Sequence, residues 1–148
     1  MHIVEESVTA KRGIVEPLLE AHVRELTTHP HIMVLDPDWE RYEAMEQAGV
    51  LLGLFAYVGN ELVGYSVNVV VPHMHYRGLT YCQNDVLYLR PDYRDIGCGT
   101  ALIRATEEAA KVRGARFIVW HAKPSTPLDK LLPRLGYGVQ DVIHGREV

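Results

Sequence analysis

Between Leu89 and Ala101 the chain reads Arg90-Pro91-Asp92-Tyr93-Arg94-Asp95-Ile96-Gly97-Cys98-Gly99-Thr100. The run before it, Val86-Leu87-Tyr88-Leu89, has the bulk and branching of a strand. The run after it, from Ala101-Leu102-Ile103 onward, is rich in helix formers. Glycine at such a junction lets backbone come close to a ligand. The outward N–H groups of a turn that opens a helix, with the positive end of the helix dipole behind them, suit a phosphate, and Thr100 adds a hydroxyl. A P-loop needs Lys-Ser/Thr after its last glycine, whereas Gly99 is followed by Thr100-Ala101. A dinucleotide fingerprint needs a third glycine, whereas Leu102 stands at that place.

Other residue types with chemical potential are scattered. Cys98 lies between the two glycines, where a helix N-terminus would lower its thiol pKa. His29 and His31 alternate, as do His73 and His75, but no acidic or cysteine partner stands at ligand spacing, so no metal site is expected. These histidines read as polar loop surface. His22 lies on an apolar helix face and reads as a core histidine. Asp36, Asp38 and Glu40 would attract a cation, although helix capping explains the aspartates equally well.

The elements that must position these groups follow from periodicity. Residues 2–8 look like an opening strand. Val15, Leu18, Leu19, His22, Val23 and Leu26 form a helical stripe, and Trp39, Tyr42, Met45 and Ala48 suggest a short second helix ending at Gly49. Two strand-like runs flank Gly59-Asn60, a hairpin signal, and Leu79–Leu89 is a further strand. Residues 97–113 form a helix closed by Gly114. Residues 116–122 read as a buried strand, and a helix starting at Thr126-Pro127 is curtailed by Pro133. Residues 137–148 read as a last strand. The order predicts a mixed α/β sheet, antiparallel early, with one parallel crossover.

With 148 residues the chain fits one domain with a core of its own. Its hydrophobic content of 47% and charged content of 23% are those of an ordinary globular protein. The net charge of -4 offers no basic excess for phosphate neutralisation, so no nucleic acid is expected as a partner. There is no apolar run of membrane-spanning length and no signal pattern, so the expected setting is cytoplasmic, with no membrane partner. Two cysteines, Cys82 and Cys98, make no disulfide framework.

The stretch "LYLRPDYRDIGCGTALI" resembles motif A of the GNAT N-acetyltransferase superfamily, roughly apolar-x-V-x-P-x-x-R/Q-x-x-G-x-G/A. Arg94, Gly97 and Gly99 fall on its key places, and Pro91 and Tyr93 on frequent ones. "AYVGNELVGYSV" resembles the family's second-to-third strand hairpin, and "LLPRLGYG" the end of its fourth helix. The resemblance covers nearly the whole chain and implies a single GNAT domain over residues 1–148. It implies an acyl-CoA N-acyltransferase fold whose sheet opens like a V between the fourth and fifth strands. It also implies acetyl-CoA, or a related acyl-CoA, as co-substrate. Pyrophosphate would sit on the backbone of Asp95, Ile96, Gly97, Cys98, Gly99 and Thr100, and pantetheine would run along Leu87, Tyr88 and Leu89.

The implied reaction is N-acetylation of a primary amine, small molecule or protein, by direct attack. On the same resemblance Asp85 is the candidate base, acting directly or through water, against a plain structural role at a strand irregularity. Direct attack needs no acyl-enzyme, which leaves Cys98 a filler. The place of the family's usual general-acid tyrosine is Leu132, and that of a frequent asparagine is Ser125. Thiolate release is therefore expected to rest on solvent, with Tyr137 and Tyr88 as alternative donors. The missing tyrosine also supports another reading, a catalytically silent acyl-CoA-binding module. The short end leaves room for one strand after the last helix, and a second copy completing that sheet edge would give a homodimer.

Overall fold

The computed structural model describes residues 1–94 and 97–148; Asp95 and Ile96, two of the expected cradle residues, lie outside the described residues. In chain order the elements are β1 (His2–Glu5), α1 (Arg12–Leu26), α2 (Trp39–Gln47), β2 (Leu51–Val58), β3 (Glu61–Pro72), β4 (Thr80–Leu89), α3 (Cys98–Val112), β5 (Phe117–Val119) and α4 (Pro127–Leu131). The strands form one sheet in the order β1-β2-β3-β4-β5. The first four pair antiparallel and β5 joins β4 in parallel.

Period-two alternation divides the core between the two faces of the sheet. On one face Leu52, Leu54, Val63 and Leu89 pack with Cys98 and Leu102 of α3. On the other, Phe55, Tyr65, Val67 and Tyr88 pack with Val15 of α1 and with Trp39, Tyr42 and Met45 of α2. The stripe on α1 thus faces the sheet as its spacing requires. α2 begins where Asp38 accepts a hydrogen bond from the Arg41 N–H at 3.0 Å, and it ends before Gly49, which turns the chain at φ +71°.

In β4 the alternation is interrupted once. Val86 pairs with Val67 and Asn84 with Asn68, so Asp85 is an extra residue with no partner on β3. Asn84 therefore faces the α3 side, while Asp85 and Val86 both face α1 and α2. A buried polar chain fixes this register. Asn84 Nδ2 donates to Asn68 Oδ1 at 3.0 Å and to the carbonyls of Val67 and Val86 at 3.3 and 3.1 Å. Asn68 Nδ2 in turn donates to Ser66 Oγ at 2.9 Å and to the Leu52 carbonyl at 3.3 Å.

β5 is shorter and less buried than its sequence suggests. Only Phe117, Ile118 and Val119 pair, opposite Tyr81, Cys82 and Gln83, and Phe117 remains 44% exposed. Pairing stops at the residue before the Asn84–Val86 bulge, which bends β4 away from a straight partner. Residues 137–148 form no strand. Their apolar side chains, Val139, Val142, Ile143 and Val148, are exposed and keep no period of two, and Gly138 and Gly145 weaken the run further.

Asn68→Ala removes an acceptor and two donors from a site without solvent. It should lower unfolding free energy by about 1–3 kcal/mol. Urea melts should show a lower midpoint at unchanged slope. A midpoint equal to that of the natural chain would mean that the amide chain does not hold the bulge.

Candidate functional site

Beyond Gln83 the edge of β4 that faces β5 carries no ladder, so residues 84–89 border an opening in the sheet. At the far end of this opening the chain makes the turn into α3. Gly97 occupies the N-cap of α3 with φ +80°, a conformation that side chains with a Cβ rarely adopt. A Cβ at Gly99 would stand 3.5 Å from Leu131 Cδ2 and 4.0 Å from Leu89 Cδ2, ordinary contact distances to two apolar side chains. Thr100 lies in the same turn. Cys98 points the other way, buried among Leu89 and Leu102, which removes it from nucleophile geometry. Burial pushes the other thiol, Cys82, up to about 12.

Arg94 does not extend into the turn. Its guanidinium makes two 2.7 Å bonds to the Glu25 carboxylate on α1, its Nε donates to the Leu89 carbonyl at 2.8 Å, and it lies over the Tyr88 ring. The Arg94 hydrogen bonds hold the Glu25 carboxyl below its ordinary range. From the other lip of the opening, Lys123 Nζ donates to the carbonyl of Leu26. The last turn of α1 is thereby held from both sides.

Asp85 is exposed and lies at the bulge, where its Oδ2 accepts the Tyr42 hydroxyl at 2.6 Å. Burial, and then this carboxylate, push the Tyr42 phenol well above its ordinary pKa, so Tyr42 stays a donor. Asp85, Tyr42, Asp38 and Arg41 border a cavity of about 310 Å³. Asp38 and Tyr42 are also walls of a larger cavity of about 440 Å³ between α1, α2 and the sheet. Tyr65, Val67 and Val86 line its sheet side, and residues 33–38 cover it from above.

His22 forms part of the larger cavity's wall and is buried as its stripe position predicts. Its Nδ1 is 3.0 Å from Tyr65 Oη, and its ring stacks on Tyr88 at 5.1 Å. Burial lowers its pKa, Glu25 opposes that, and Arg94 and Lys123 add to it.

Arg94 meets Tyr88, and Gly97, Gly99 and Thr100 share the start of α3, whereas Asp85 lies with Tyr42, Asp38 and Arg41. Leu87 packs on the α3 side and Leu89 is buried there. Tyr137 hydrogen-bonds Glu107 on α3, and Leu132 is buried. His31 pairs with Glu147 at 2.9 Å, and the backbone N–H of His75 donates to His73 Nδ1 at 3.1 Å. Among the described residues no group of three His, Cys, Asp or Glu side chains is placed to hold a metal. No helix among them is long and apolar enough to cross a membrane. In the sequence Trp39 and Tyr42 mark only one face of a short second helix. The three-residue spacing that put them on one helix face was visible, but the cavity under that face was not.

A model of the acetyltransferase (GNAT) family matches residues 16–137. No curated protein matches the chain by sequence. Several solved structures share its fold. A ribosomal-protein-alanine N-acetyltransferase from Brucella melitensis biovar Abortus is 22% identical with TM-score 0.73, over 100% of this chain and 99% of that one. An aminoglycoside acetyltransferase from an uncultured soil metagenomic sample, in complex with sisomicin, is 18% identical with TM-score 0.76, over 99% and 95%. A transcriptional regulator from Bacillus halodurans is 18% identical with TM-score 0.77, over 99% and 100%.

Because burial lowers the His22 pKa, the unfolded chain binds more protons once pH drops toward an ordinary histidine pKa of about 6.5. The contribution of His22 is complete above that value and is lost as pH falls through it toward the lowered folded value. Between about pH 7.5 and 5.5 the natural chain should lose more stability than His22→Gln, measured by urea midpoints. Parallel losses would show that His22 protonates freely in the fold.

Proposed function

The chain belongs to the acetyltransferase (GNAT) family, and on that premise we propose that it moves an acetyl group from acetyl-CoA to a primary amine by direct attack. The observation that carries this reading is one juxtaposition. The sheet opens after Gln83, the opening leads to the glycine turn of α3, and Asp85 stands on the bulge where the opening begins.

The donor fits the residues present. Backbone N–H groups at the start of α3, after the positive-φ turn at Gly97, would hold pyrophosphate. The unpaired edge along Leu87, Tyr88 and Leu89 offers backbone groups to the amides of pantetheine. In the reaction the amine nitrogen bonds to the thioester carbonyl carbon, the C–S bond breaks, and its electron pair leaves on sulfur. A lysine-type amine of pKa about 10.4 is neutral in only about one molecule per thousand near pH 7.4, so a proton acceptor is needed. Asp85 takes that proton, directly or through water, with Tyr42 orienting its carboxylate. The thiolate takes its proton from solvent, because Leu132 is an apolar, buried side chain.

CoA release over a panel of amines tests the reading as a whole. Acetyl-CoA binding without release for any amine would leave a silent acyl-CoA-binding module. Asp85→Asn keeps the shape and removes the basic oxygen, so turnover should fall about 10²–10⁴-fold at unchanged acetyl-CoA affinity. The deficit should shrink as pH rises and solvent supplies neutral amine; an equal deficit at every pH, with weaker CoA binding, would make Asp85 structural. Gly99→Glu should abolish acetyl-CoA binding by calorimetry in a folded protein, and retained affinity would exclude the glycine turn as the pyrophosphate site.

A further inference from the structure

The larger cavity is chemically lopsided. Its body is apolar and aromatic, built by Val15, Leu19, Trp39, Tyr65, Val67 and Val86. Carboxylates occur at the α2 end, where Asp36 and Asp38 precede the helix and where Tyr42 leads across to Asp85. Arg41 shares the smaller cavity, so two carboxylates, Asp38 and Asp85, face one guanidinium there. Of the remaining polar side chains of the larger wall, two are engaged and Thr27 adds one hydroxyl. His22 bonds Tyr65, and Lys123 gives its ammonium to the Leu26 carbonyl.

The geometry points to an acceptor that is a small monoamine with an apolar body, its ammonium end toward Asp38 and Asp85 and its body against Trp39, Tyr65 and Val67. This inference rests on the N-acyltransferase reading of the same site. One cation is matched by the carboxylates at one end. A second ammonium would end on apolar side chains or near the Lys123 ammonium, and a ring of hydroxyls would meet the Thr27 hydroxyl and little else, so most of its polar groups would be unpaired, which is disfavoured. At about 440 Å³ the cavity has room for a body of one or two aromatic rings with a short arm. The polycationic substrate class named for the aminoglycoside acetyltransferases of the same fold does not match this wall.

Calorimetric titration of 2-phenylethylamine, ethanolamine and sisomicin into the CoA-loaded protein separates the alternatives without depending on turnover. Phenylethylamine should bind about tenfold or more tightly than ethanolamine, the usual worth of an apolar group in an apolar pocket. Sisomicin should gain nothing over ethanolamine. Leu19→Asn, a polar group on the apolar wall, should weaken phenylethylamine by about tenfold and leave ethanolamine unchanged. If Leu19→Asn fails to fold by circular dichroism, Val23→Asn on the same wall decides. Equal affinities, tightest binding of sisomicin, or no binding of phenylethylamine would overturn the inference, even if some other amine released CoA. Tight phenylethylamine binding, with no CoA released from acetyl-CoA by any amine of the panel, would uphold the cavity's preference for an apolar monoamine and overturn acyl transfer instead.

Discussion

The Asn84 amide that donates to Asn68 Oδ1, inside the sheet and away from water, decides how the rest of the molecule is arranged. It fixes the point at which β4 carries one residue more than β3. With that register, Asp85 and Val86 share a face, and every later residue of β4 changes side relative to an uninterrupted strand. Tyr88 then meets His22 on the α1 side, while Leu87 and Leu89 meet α3. A slip by one residue would invert these faces and strand the carboxamides among apolar side chains. Each stranded group costs about 1–3 kcal/mol, a large share of the 5–15 kcal/mol that holds a domain together. The bulge is therefore a well-determined feature, and so is the place where β4 and β5 part.

The end of α1 links the two halves of this arrangement. Glu25 takes Arg94, which lies just before the glycine turn, and the Leu26 carbonyl takes Lys123, which follows β5. His22, one turn earlier, walls the larger cavity. The Arg94–Glu25 pair is partly exposed, and such pairs add little to stability. Its two-pronged geometry instead sets an orientation, holding one helix terminus against both lips of the opening.

The hairpin at Gly59-Asn60, the stop of α3 at Gly114 and the shortening of α4 by Pro133 were all legible because each rests on local backbone chemistry. So was the glycine turn, where φ at Gly97 meets the need that the residue type announces. The candidate base was legible only through resemblance, since no local pattern marks Asp85. The bulge that aims it depends on amide bonds between β3 and β4, whose partners lie 16 residues apart in the chain. Residues 116–122 and 137–148 were over-read as strands for a related reason. A run of β-formers becomes a strand only where a neighbour offers a ladder, and beyond Gln83 on β4 none is offered.

The larger cavity has a floor and a roof of very different kinds. Its floor is Tyr65, Val67 and Val86 on central strands, tied into the register described above. Its roof, residues 33–38, lies between α1 and α2, and Met33, Val34 and Leu35 are exposed on it. Changes in such a connection leave the ladder and both cores untouched, whereas changes in the floor disturb them. Selection can thus remodel the cavity's chemistry from above while the sheet register and the bulge stay fixed below. A graft of residues 33–38 from a relative of this fold would be the minimal transplant of one cavity's roof onto another's floor.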